Sequence, residues 1–207
     1  MIRAVISDFG GVLTTPLGNA FAAWSKESGV PLEELGAAMA RATEAHDGHH
    51  PLFMLERGEL TEREFLDRIN GAMTGGHDLE GMFDVWFGHL ERNPEMIELM
   101  RDLEGRGLRM ALLTNNVREW EPRWRPMLPE LDEVFEVVVD SGFVGMRKPE
   151  PEIYELTVER LGGVDAAECL FVDDMEVNCE AARALGMTAV QFHDNAQARQ
   201  EIEAVLA

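Results

Sequence analysis

The stretch Ala4-Val5-Ile6-Ser7-Asp8-Phe9-Gly10-Gly11 decides the reading of the chain. A short β-branched and apolar run over residues 2–7 has the pattern of a fully buried strand. It ends at a carboxylate followed by paired glycines, the residues that a tight turn favours. A buried strand needs partners on both edges and layers on both faces. Further strands of the same kind, separated by helices, are therefore expected downstream.

The rest of the chain supplies them. Residues 108–113, 134–139, 169–172 and 188–192 are short apolar runs that read as strands. Helical spacing marks residues 94–105, 149–161, 177–185 and 196–206, and Gly186 closes the third of these helices. Between the first and second strands lies a long stretch with helical periodicity. It includes residues 17–28, 31–45 and 79–90, and a capping-box match, Thr61-Glu62-Arg63-Glu64, that opens another helix. That is too much chain for one crossover, so residues 16–90 are expected to form a small inserted helical domain. Residues 1–15 and 91–207 would form an α/β core around a parallel sheet.

Composition bounds the partners. The 207 residues include 18 Lys plus Arg against 39 Asp plus Glu, a formal net charge of -21. Such a surface repels nucleic acid and anionic membranes, so neither is an expected partner. It also repels anionic substrates at long range, so a phosphate site would need local positive potential. Trp120-Glu121-Pro122-Arg123-Trp124-Arg125 interleaves aromatics with arginines, and Trp86 adds a third ring, but at this net charge packing or contact with the insert is expected rather than base stacking. The two cysteines, Cys169 and Cys179, fall in apolar patterns and read as small buried hydrophobes, consistent with a reducing cytoplasm. No long apolar region precedes the first strand and no stretch reaches the length of a membrane span, so neither a signal peptide nor a membrane helix is expected.

Chemistry-bearing residues collect at strand ends. Asp8 follows the first strand, Thr114-Asn115 the second and Asp173-Asp174 the fourth, while Arg147-Lys148-Pro149 opens the helix after the third. In open α/β sheets, ligands bind outside the carboxyl ends of the strands at a topological switch point. The inventory is coherent: a carboxylate nucleophile for phosphoryl transfer, oxygen ligands for a hard cation such as Mg2+, and a hydroxyl, an amide and an ammonium for phosphate oxygens.

In this order, Asp8-Phe9-Gly10-Gly11-Val12-Leu13, Leu113-Thr114-Asn115-Asn116, Arg147-Lys148-Pro149 and Phe171-Val172-Asp173-Asp174 resemble the four motifs of the haloacid-dehalogenase-like (HAD) hydrolases. The branch that looks most similar holds the phosphatase domain of soluble epoxide hydrolase and bacterial sugar-phosphate phosphatases. The resemblance implies a Rossmann-like core with a helical cap inserted after the first motif. It implies a Mg2+-dependent phosphatase of small phosphorylated metabolites that works through an aspartyl-phosphate on Asp8. Asp8, the carbonyl of Gly10 and Asp174 would bind the metal, with Asp173 beside them. Thr114, Asn115 and Lys148 would bind phosphate, Lys148 also holding Asp8 electrostatically, and Asn178 would stand behind the metal site.

One position departs from the family pattern. Most phosphatases of this family carry a second Asp two residues after the nucleophile, as acid and base for the leaving group and water; here Gly10 stands there. Three readings follow. The chain is a phosphatase for substrates with good leaving groups, such as anomeric sugar phosphates or acyl phosphates. Or it is a 2-haloacid dehalogenase, which needs no such acid. Or it is a non-catalytic protein that binds a phosphometabolite. His46, His49 and His50 lie in the insert, where one could replace the missing acid, although a solvated turn is the plainer expectation.

Overall fold

The computed structural model describes residues 1–207. Five strands, β1 (Ala4–Ser7), β2 (Arg109–Thr114), β3 (Val137–Asp140), β4 (Cys169–Asp173) and β5 (Thr188–Gln191), form one parallel sheet in the order β3-β2-β1-β4-β5. The chain builds outward from β1 to β3 on one side, then returns to place β4 and β5 on the other. The order therefore reverses beside β1, and the carboxyl ends of β2, β1 and β4 meet at the switch point.

Side-chain alternation explains why these strands read as continuous apolar runs. Ala4 and Ile6 join Ala111, Leu113 and Phe171 in the core on one face. Val5 joins Leu112, Leu170 and Val172 in the core on the other. Helices cover both faces, as an all-parallel sheet requires. The strand expected over residues 134–139 begins later, because residues Leu131–Val134 form a short helix before β3.

Of the six helices between β1 and β2, the first five lie in the inserted stretch: α1 (Leu17–Ser28), α2 (Leu32–Glu44), α3 (Pro51–Glu56), α4 (Glu62–Ala72) and α5 (Met82–Gly88). The chain enters and leaves this insert through two adjacent segments. Thr14 and Arg92 form an antiparallel bridge, the Thr15 N–H donates to Glu91 O at 2.8 Å, and the Asn93 N–H donates to Leu13 O at 2.8 Å. Helix α4 begins at the capping box read from the sequence: Glu64 N–H donates to Thr61 Oγ1 at 3.2 Å, and Thr61 N–H donates to Glu64 Oε2 at 2.8 Å. Helix α3 was not expected. It has only six residues, too few for a periodic pattern, and starts with Pro51 in its first turn, where proline's missing N–H costs nothing.

The core is completed by α6 (Pro94–Gly105), α7 (Glu121–Trp124), α8 (Leu131–Val134), α9 (Ser141–Val144), α10 (Pro151–Leu161), α11 (Glu176–Ala184) and α12 (Asn195–Leu206). Aromatic rings join the insert to this core. Phe83 of α5 lies 4.4 Å from Trp120 and Trp86 lies 5.7 Å from Trp120, while within the core Phe9 lies 5.2 Å from Trp124. All three tryptophans are buried, so they pack rather than form an exposed stacking surface. Cys169 and Cys179 are buried and free, and no helix is long and apolar enough to cross a membrane.

Candidate active site

The turn after β1 sets the position of Asp8. Its own N–H is bound to Val172 O of β4 at 2.8 Å, so the residue is fixed against the neighbouring strand end. Asp8 Oδ1 accepts from the Phe9 N–H at 2.7 Å and lies 2.8 Å from Lys148 Nζ. No protein group binds Oδ2. One oxygen is thus held while the other is left available.

Lys148 reaches this point from the loop before α10. It is 1 % exposed, and its ammonium meets three acceptors: Leu113 O at 2.9 Å, Asp173 Oδ2 at 2.6 Å and Asp8 Oδ1 at 2.8 Å. The surrounding carboxylates raise its pKa despite burial, which acts the other way. It stays cationic at neutral pH.

Two expected ligands have other uses in the structure. Asp173 was assigned to the metal. Its Oδ1 accepts from the Met175 N–H and from Asn178 Nδ2, both at 2.9 Å, and its Oδ2 takes Lys148. These bonds orient the lysine and the start of α11. Asn115 was assigned to phosphate. Its Oδ1 accepts the Lys148 N–H at 2.8 Å and its Nδ2 donates to Lys148 O at 3.0 Å. The side chain clamps the lysine backbone, and only the Asn115 N–H, which has no partner, faces the site's needs. Asn178, the donor to Asp173 Oδ1, is buried at the start of α11.

Thr114 ends β2 with its hydroxyl unpaired, and it lines a cavity with Gly10 and Asn115. The Asp174 side chain makes no hydrogen bond to another residue, and burial, then Asp173, raises its pKa. Burial raises Asp8 to about 7; Lys148 lowers it, while Asp173 and Asp174 raise it further. Oxygens of Asp8, Asp173 and Asp174 all lie within 4.8 Å of one another.

These observations test the fit of a cation. Three carboxylates share a buried site with one ammonium, which leaves an excess of two negative charges when all are ionised. The unsatisfied donors are hard carboxylate oxygens, the set that Mg2+ prefers, and a divalent ion would cancel the excess. The residues present fit the metal.

Gly11 makes this approach possible. Its φ is +82°, and a Cβ there would fall 2.5 Å from Asp174 Oδ2. The Gly11→Ala variant is expected to lose about 1–3 kcal/mol of stability and to weaken Mg2+ dependence of any activity by displacing Asp174. Urea denaturation and a Mg2+ titration of turnover check both parts. Unchanged Mg2+ response would show that Asp174 is not displaced.

The three histidines do not reach this site. His46 Nδ1 is 2.8 Å from Ala42 O, His50 stacks on Phe53 at 4.4 Å, and His49 is exposed. The ionisable group that the insert does bring is Glu56, at the end of α3, paired with Arg147 at 2.6 Å. Arg57 pairs with Glu150 beside it. The sequence signal was an acid at the end of an apolar run, Leu52-Phe53-Met54-Leu55-Glu56, but a six-residue helix hides which face it presents.

The model of the haloacid dehalogenase-like hydrolases matches residues 2–186. The chain belongs to this hydrolase family. A sesquiterpene phosphatase of Aspergillus oryzae, astK, is 30 % identical over 93 % of this chain and 91 % of its own length. Mouse bifunctional epoxide hydrolase 2 is 27 % identical over 99 % of this chain, but the chain spans 39 % of that protein's length. Among solved structures, a HAD-family enzyme of Bacteroides thetaiotaomicron, in complex with magnesium and inorganic phosphate, superposes with a TM-score of 0.69. It is 24 % identical, and the match covers 93 % of this chain and 95 % of that one.

Proposed function

We propose that this HAD-family hydrolase is a Mg2+-dependent phosphatase of small phosphorylated metabolites that uses Asp8 as its nucleophile. The observation that carries the reading is the asymmetry of Asp8: Oδ1 is fixed by Phe9 and Lys148 while Oδ2 is unbound. A carboxylate held in this way is oriented for attack before a substrate arrives. The phosphatase name of the fungal relative, which this chain matches over nearly its full length, supports the same activity.

Asp8, Asp174 and the Gly10 carbonyl would hold the metal, which supplies charge neutralisation for the phosphoryl oxygens. The protein's own groups do the rest. Asp8 Oδ2 attacks phosphorus, the ester P–O bond breaks with its electron pair on the departing oxygen, and an acyl phosphate forms on Asp8. Water then cleaves that acyl phosphate, releasing phosphate and restoring the carboxylate. Lys148, held by Asp173, offsets charge on the transferring group, and the Thr114 hydroxyl and Asn115 N–H donate to its oxygens. We read the five inserted helices, residues 16–90, as a cap over this site and residues 1–15 and 91–207 as the catalytic core.

The test is phosphate release with and without EDTA, compared with Asp174→Asn. Chelation should abolish turnover. The variant should raise the Mg2+ concentration needed for half-maximal rate by at least tenfold. Chloride release from 2-haloacids in EDTA would support the dehalogenase reading instead, and tight phosphate-ester binding without any turnover would support the sensor reading.

A further inference from the structure

The pocket that holds Asp8, Lys148 and Asp174 adjoins a second cavity beneath the inserted helices. The two share Gly10, Leu17, Leu52, Glu56 and Asn115. Of the 19 residues that line the second cavity, 14 are hydrophobic, and Glu56 is its one charged side chain. Its polar lining is otherwise gathered at the phosphate end, in Thr114, Asn115 and Asn116. Beyond that end, α1, α2, α4 and α5 contribute Phe21, Leu35, Phe65 and Trp86 among others.

The absent acid reinforces this character. A Cβ on Gly10 would lie 3.2 Å from Leu17 Cδ1. An apolar side chain therefore packs against the face of Gly10 from which a polar one would project. A sugar placed here would bury several hydroxyls with almost no acceptors or donors to meet them. A hydrocarbon would remove apolar surface from water on both sides of the contact.

We propose that the substrate is the phosphate monoester of a predominantly hydrocarbon alcohol, with the phosphate at Asp8 and the chain in this cavity. The proposal rests on the phosphatase reading above. It turns the expectation away from sugar phosphates, because polar leaving groups find no partners where this one must lie.

The experiment compares n-alkyl phosphates from butyl to dodecyl with glucose 1-phosphate and acetyl phosphate, all with Mg2+. For the alkyl series kcat/KM should rise about threefold for each added methylene until the cavity is full. Met39→Trp, which fills the cavity, should lower kcat/KM for decyl phosphate at least tenfold more than for acetyl phosphate. A flat chain-length profile, or glucose 1-phosphate exceeding every alkyl ester, overturns the proposal while leaving the phosphatase reading intact. If no ester is turned over, the phosphatase reading falls, and calorimetry with decylphosphonate and methylphosphonate still judges the cavity: equal affinities overturn it.

A separate observation concerns the proton. Whatever the leaving group is, an ester spanning the two pockets has its bridging oxygen at their junction. Of the five residues shared there, Glu56 alone has a side chain that titrates as an acid. The geometry points to Glu56 as the general acid for the departing oxygen, in the role that Gly10 cannot fill. As the P–O bond breaks, the oxygen takes the Glu56 proton; the carboxylate so formed then takes a proton from the water that cleaves the acyl phosphate. Burial pushes the Glu56 carboxyl up, against lowering by Arg147, Lys148 and Arg57.

Glu56→Gln should therefore lower kcat for alkyl phosphates at least thirtyfold more than for acetyl phosphate, whose leaving group needs no proton. It should also remove the alkaline fall of the kcat–pH profile. Equal losses on both substrates with an unchanged profile would reduce Glu56 to a partner of Arg147 and overturn the assignment.

Discussion

Asp8→Asn is expected to cut kcat by on the order of 10⁵-fold and, in EDTA at pH 8, to raise the melting temperature. The first effect follows from removing the nucleophile. The second follows from what ionised Asp8 costs the cation-free fold. Burial and the nearby carboxylates hold its pKa at about 7, above the ordinary 3.8. A raised carboxyl pKa contributes stability below the unfolded value, and that stability is lost as pH rises through about 7. At pH 8 the wild-type carboxylate is charged and underneutralised, whereas an amide keeps the Phe9 N–H contact with no charge to bury. The gain is about 2–4 kcal/mol, partly offset because Lys148 then faces a neutral amide oxygen in place of a carboxylate. At pH 4 the difference should vanish, and saturating Mg2+ should shrink it at pH 8 by stabilising only the wild type. Thermal melts of both proteins at pH 4 and pH 8, with and without Mg2+, give the four comparisons. A variant less stable than wild type in EDTA at pH 8 would mean that Asp8 is not strained by its surroundings. Residual turnover within tenfold of wild type would remove it as nucleophile.

The topology of the sheet explains why the site was legible in the sequence when its details were not. A buried strand ending at Asp8, and others ending at Thr114 and Asp173, carry their own signal: apolar runs of strand length that stop at polar residues. Because all the strands are parallel, every such stop lies at the same sheet edge. What the letters cannot carry is which oxygen faces which donor. Asp173 and Asp174 are adjacent and chemically identical, yet one is sealed beneath Met175, Asn178 and Lys148 while the other has no side-chain partner. Asn115 reads as a phosphate ligand until its amide is seen to close on both sides of the Lys148 backbone. Helix α3 and Glu56 were missed for a different reason: six residues give less than two turns, so no period exists to read. The apolar cavity was out of reach altogether, since its walls come from the insert and from the segment after β2, far apart in order.

Lys148→Met combined with Asp173→Asn tests the part of the site that holds everything else in register. Alone, Lys148→Met strips the single cation from the fully buried Asp173 carboxylate and should cost about 3–5 kcal/mol, together with at least a hundredfold loss of kcat. The cost is chiefly that of an unpaired charge, not of a lost attraction. Replacing Asp173 by Asn in the same protein removes that charge, and the amide can still face Met175 and Asn178. The double variant should therefore be more stable than the sum of the single effects predicts, by about 1–3 kcal/mol, while its kcat stays as low as that of Lys148→Met. Urea denaturation in EDTA at pH 6 isolates the pair, because burial already keeps Asp8 largely protonated there. Additive stabilities would mean that Asp173 is balanced by something other than the lysine. Recovered stability with recovered activity would mean that the ammonium has no part in turnover. Coupling in stability without coupling in rate is the outcome the geometry demands: Asp173 neutralises and aims the lysine, and the lysine alone acts on phosphate.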